Sequence, residues 1–162
     1  GVTYLTLGQW SEAVKVFEVL TTTLEYRTPA RAYNNLGWAL FKLNRLDEAQ
    51  RAFTSATKLN PRLCPPHNNL GLVALKQGAL ALAERALTRA HTQCPTYAEP
   101  HLHLAQLYTR QGAQGLAVSA LQRCVALGGD SDVGLRCALA LKRGGHEVAP
   151  PQKAPQELPS SL

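Results

Sequence analysis

Leu36-Gly37, Leu70-Gly71 and Leu104-Ala105 recur at intervals of 34 residues, and their surroundings recur with them. The first set runs Tyr33, Asn34-Asn35-Leu36-Gly37, Leu40, Asn44, Leu46, Ala49, Phe53, Ala56 and Pro61. The second has His67, Leu70-Gly71, Ala74, Gly78, Leu80, Ala83, Leu87, Ala90 and Pro95. The third keeps the register with His101, Leu104-Ala105, Tyr108, Gly112, Ala117, Leu121 and Cys124, and has Gly129 where the proline falls. A period of this length demands a stack of like units rather than one closed core.

Small residues at fixed places, Gly37 with Ala49 and Gly71 with Ala83, let two antiparallel helices approach closely while larger neighbours fill the gaps. One helix pair cannot bury its own apolar face, so successive pairs must share a core. A composition 45% hydrophobic but only 6% aromatic, rich in Ala and Leu, suits such packing. The spacing resembles the tetratricopeptide repeat (TPR) signature: an aromatic, then Leu-Gly, a large residue, Ala, a large apolar residue and a closing Pro. The resemblance implies an all-α, right-handed α-solenoid of stacked antiparallel helix pairs.

In this frame residues 1–28 are a partial first repeat, followed by repeats 29–62, 63–96 and 97–130. A capping helix over 131–145 completes a solenoid spanning 1–146. Helices are expected at about 29–43, 46–59, 64–77, 80–92, 98–111 and 114–127. Gly1 falls at the eighth position of a repeat, so the start of that helix is expected upstream. The step from Gly1 to Gly37 is 36 residues, which places two extra residues before Pro29 and lets the helix containing Trp10 run past Thr21 toward Tyr26. Asp130-Ser131-Asp132 caps the last helix, which ends at Gly144-Gly145 and resembles the solvating helix that closes a solenoid. The Pro-rich stretch 147–162 lacks the apolar surface needed to order itself and is expected to be disordered.

The net charge of +6 and pI near 9.4 would suit a nucleic-acid partner, but the basic residues are scattered with no Lys/Arg-rich run. An acidic peptide suits them better. No CxxC, HExxH, GxSxG or phosphate-loop motif is present, so no catalytic residues are visible and no cofactor is expected. His67 and His101 stand where the repeat has a packing aromatic, which argues for interface histidines rather than metal ligands.

Cys64 begins one helix and Cys94 ends its antiparallel partner, while Cys124 and Cys137 flank the turn at 128–131. Each pair falls within disulfide reach, and all four cysteines are used with none left over. Two bridges imply an oxidising compartment, periplasm or exterior. The alternative is free thiols in small buried positions.

In TPR folds generally, the first helix of each repeat lines the concave groove. That frame places Asn34 and Asn35, then Asn68 and Asn69, at the fifth and sixth positions, with His103 at the sixth of the next repeat. Trp38, Leu72 and Gln106 take the ninth position, and Lys42, Lys76 and Arg110 the thirteenth. A row of carboxamides at repeat spacing can bond the backbone of an extended peptide, Trp38 is an apolar anchor, and the basic column selects acidic residues. The other reading is a set of polar residues bonded to neighbouring loops or water, beside a solvated charge row. The carboxylate clamp of the cochaperone TPR type does not fit, since Trp38, Leu72, Glu99 and His103 replace residues it needs.

A narrower likeness lies in Asn68-Asn69-Leu70-Gly71-Leu72-Val73-Ala74-Leu75-Lys76, in 102–108, and in 125–130 followed by 135–141. These are similar to repeats of the TPR outer-membrane lipoproteins that act as pilotins for the type IV pilus secretin. That resemblance implies a periplasmic scaffold that binds a secretin subunit, and a membrane attachment only through an N-terminal lipid upstream of this sequence. The alternative is a cytoplasmic TPR adaptor holding an extended peptide in its groove.

Overall fold

The computed structural model describes residues 1–22, 27–146 and 148. Among the described residues there are nine α-helices and no strand. They are α1 (Val2–Thr6), α2 (Trp10–Thr22), α3 (Pro29–Lys42), α4 (Leu46–Leu59), α5 (Cys64–Gln77), α6 (Leu80–Gln93), α7 (Glu99–Arg110), α8 (Gln114–Gly128) and α9 (Asp132–Arg143). The starts of α3, α5 and α7 carry Pro29, Pro65-Pro66 and Pro100. Proline is tolerated in the first turn because its missing N–H would have no helical acceptor there.

The turn inside each repeat is built once and reused. Asn44, Gly78 and Gly112 take left-handed φ values of 62°, 76° and 74°, each 34 residues after the last. The following N–H then reaches five residues back: Arg45 to Leu40, Ala79 to Ala74 and Ala113 to Tyr108, all at 2.9 Å. These 6→1 bonds occupy helix-end carbonyls and set the antiparallel reversal.

Close approach of paired helices depends on glycine at the expected places. A Cβ on Gly37 would lie 2.7 Å from the Phe53 ring, and one on Gly71 would lie 2.5 Å from the Leu87 side chain. Phe53 and Leu87 are fully buried, each stabilising the fold by about 1.5–3 kcal/mol through apolar burial. Sequential helices pack together, and α3, α5, α7 and α9 also touch in series. This makes α3, α5, α7 and α9 the inner row of a curved stack.

Ser131 caps α9 by accepting from the Gly134 N–H at 3.3 Å. Cys137 and Leu141 are buried against α7 and α8, but Leu135 and Leu139, one turn apart, remain about half exposed. The closing helix is therefore less polar on its outer side than a purely solvating cap. The expected extension of α2 beyond Thr22, and the tail over 147–162 apart from Val148, lie outside the described residues. Val148 packs on the apolar cluster that holds Leu102, Val125, Cys137 and Leu141.

Candidate functional site: the inner face of the stack

Three of the four carboxamides, Asn34, Asn68 and Asn69, bond to one another. Asn69 Nδ2 donates to Asn34 Oδ1 at 3.0 Å, and Asn68 Nδ2 lies 3.5 Å from Asn69 Oδ1. Asn68 Oδ1 can only accept, so the His103 Nδ1 found 2.8 Å away carries the proton of that bond. The row runs His103 to Asn68 to Asn69 to Asn34, crossing two repeat junctions with its donors pointing in one chain direction. Asn68, Asn69 and His103 are 3%, 8% and 9% exposed, so they belong to the interior and not to a peptide-facing ladder. Across each junction the sixth-position residue of one repeat bonds the fifth-position residue of the repeat before it. Burial holds the His103 imidazole at about 4, with Arg136 adding to the effect, so it is neutral inside the stack. Asn34 and Asn35 are half-buried and remain at the inner surface.

The ninth and thirteenth positions form a different arrangement. Trp38 is half-buried and stacks on Phe41 with ring centroids 5.6 Å apart, so it is not the freely exposed anchor the repeat frame suggested. Lys42 Nζ lies 4.8 Å from the Trp38 ring and 5.7 Å from the Trp10 ring, and Lys76 Nζ lies 4.9 Å from Phe41. Leu72 packs half-buried against the apolar cluster that holds Leu75, Leu87, Leu104 and Leu107, and Gln106 is exposed. Arg110 is exposed, and its Nη1 donates to the Leu75 carbonyl at 2.6 Å, beside Lys76 in sequence. The sequence reading omitted Trp10 and Phe41. Phe41 directly precedes Lys42 and Trp10 lies one repeat upstream, yet neither stands at a position the TPR frame marks as inner.

Histidines 67 and 101 lie at repeat junctions. His67 Nε2 is 2.9 Å from the Pro61 carbonyl. His101 packs 4.5 Å from His91, ring to ring, and His91 Nδ1 and His101 Nε2 are buried without hydrogen-bond partners. Burial first, then His91 and Arg123, depress His101 to about 4. Among the described residues no group of three His, Cys, Asp or Glu side chains is placed to hold a metal ion.

Disulfides join Cys64 to Cys94 and Cys124 to Cys137, with Cα separations of 6.0 and 6.1 Å. The first ties the start of α5 to the end of α6, and the second ties α8 to α9. No helix among the described residues is long and apolar enough to cross a membrane.

A curved row of helix pairs with a cation-and-aromatic inner surface defines a helical repeat scaffold. Residues 30–63 match the tetratricopeptide repeat family model, and the described residues share the all-α fold of solved TPR solenoids. A thermophilic TPR protein of Thermus thermophilus superposes with a TM-score of 0.72 at 23% identity, over 88% of this chain and 80% of that one. PilW, described as a widely conserved type IV pilus biogenesis factor, gives 0.69 at 17% identity over 81% of this chain and 60% of its own. MamA gives 0.67 at 21% identity over 93% of this chain and 75% of its own. At these identities the likeness is one of fold. No curated protein matches in sequence.

Proposed function

We propose that this chain is a pilotin-like interaction scaffold that works in an oxidising compartment and assists the assembly or localisation of a type IV pilus outer-membrane secretin. The observation that carries the reading is the two disulfides within a TPR solenoid, a combination suited to the periplasm. The structural similarity to PilW, a pilus biogenesis factor, supports the same direction. On this reading the chain recruits another polypeptide and carries out no chemistry of its own.

The test is affinity capture from the source cell envelope with the purified, oxidised chain, followed by mass spectrometry. Enrichment of a secretin subunit is expected, and its absence from the captured proteins contradicts the reading. Thiol trapping in the source cells separates the alternative. Four alkylatable cysteines favour a cytoplasmic adaptor that binds an extended peptide, whereas four protected ones favour the periplasmic scaffold.

A further inference from the structure

We propose that Lys42 and Lys76 form a two-cation seat for an extended acidic segment of a partner polypeptide, with carboxylates about three residues apart. This rests on the reading of the chain as a polypeptide-binding scaffold, and it names the surface and the chemistry that surface selects.

Both lysines are exposed, and both ammonium groups lie over aromatic rings within 5 Å: Lys42 over Trp38, Lys76 over Phe41. Neither has a carboxylate partner among the described residues, where the ion pairs are Arg45–Glu48 and Arg136–Asp132. Ring contact restricts two long side chains before any ligand arrives, which reduces the ordering cost of binding an anion. The chain's net charge of +6 draws an acidic segment toward them.

Spacing narrows the ligand further. Lys42 and Lys76 hold equivalent places on α3 and α5, which touch directly. Packed helices lie about 8–10 Å apart, roughly the length of three residues of extended chain at about 3.3 Å each. About two turns before Lys42 on α3, Asn34 accepts from Asn69 through Oδ1, leaving its own Nδ2 hydrogens for an outside main-chain carbonyl.

Single-stranded nucleic acid would use the rings as stacking platforms. Here Trp38 already carries Lys42 and Phe41, and Phe41 carries Trp38 and Lys76. Charge is offered without open ring faces, which suits carboxylates and not bases.

The probe is a fluorescein-labelled Ala/Leu peptide with two Glu residues three apart, followed by anisotropy at about 50 mM salt against its Gln counterpart. The Glu peptide is expected to bind about tenfold more tightly. The Lys42→Gln/Lys76→Gln double variant should lose about tenfold, with an unchanged melting temperature, while Lys58→Gln on α4 should bind as the parent does. Equal binding of the two peptides, no binding of either, or an unaffected double variant overturns the proposal. Tighter binding of oligo-dT or of phosphatidylglycerol vesicles through the same lysines also overturns it. If the double variant still captures the full envelope partner, the scaffold reading stands and this surface is excluded.

Discussion

Asn69 of α5 donates its side-chain N–H to Asn34 of α3 at 3.0 Å, joining two repeats through residues 35 positions apart. The next junction is made in the same way, by His103 on Asn68. The buried polar row therefore fixes the register between neighbouring helix pairs, a task the apolar core does without direction.

Asn68→Ala removes the centre of that row and leaves the His103 N–H and the Asn69 carbonyl oxygen unpaired in the interior. A loss of about 1–3 kcal/mol is expected for such buried orphans. Asn34→Ala, at the half-buried end, should cost about 0.5–1.5 kcal/mol. Urea unfolding measures both, and equal losses would show that burial of the row has no energetic consequence.

Two glycine substitutions should separate a contact that yields from one that does not. Gly71→Ala brings a Cβ to 2.5 Å from the Leu87 side chain, which can shift, for about 1–3 kcal/mol. Gly134→Ala drives its Cβ into the backbone of Gly128 and Gly129, which cannot move without parting α8 from α9. Thermal unfolding followed by circular dichroism should place Gly134→Ala below Gly71→Ala. Gly115→Ala, with open space around it, should be neutral or slightly stabilising.

Much of this architecture was legible in the sequence because the constraint is local and repeated. Gly37 and Gly71 announce helix contact, while Asn44, Gly78 and Gly112 announce the reversals. The inner face was read less well. Position alone assigns Asn68, Asn69 and His103 to the groove, but the depth at which a side chain comes to rest depends on its neighbour one repeat away. The charge of Arg110 is visible in the sequence, but its bond to the Leu75 carbonyl, one of those left short of helical donors in the last turn of α5, follows only from the packing of α7 beside α5. The resemblance of α9 to a solvating helix does not foretell that Leu135 and Leu139 stay about half exposed on it.

The two disulfides should differ in reactivity. Cys64 and Cys94 are half-buried, whereas Cys124 and Cys137 are fully buried. Limited reduction followed by alkylation and peptide mass mapping should label Cys64 and Cys94 first. Bridging residues 30 apart stabilises by about 3–4 kcal/mol in the loop-entropy model, so the melting temperature should fall at that step.

Stability should decline with acid in a defined window. His101 and His103 are held at about 4 in the fold, while an unfolded histidine titrates near 6.5. Above about pH 6.5 both states are neutral and stability is full. From there down to about pH 4 the unfolded chain binds protons that the folded one refuses, so stability is lost and then levels off. The slope should approach about 1.4 kcal/mol per pH unit for each histidine, measured by urea unfolding across pH 4–8. Replacing His101 with Phe, the aromatic type favoured at that repeat position, should remove part of the acid response, the rest coming from His103 and from His67, which burial also lowers.

On the function proposed above, the inner face of this solenoid engages another polypeptide. A photo-crosslinking amino acid placed at position 38 on α3, and separately at exposed position 82 on α6, tests it in the source cells. The account predicts a discrete adduct with a second protein from position 38 and none from position 82. Adducts from position 82 alone, or from neither position, would contradict it.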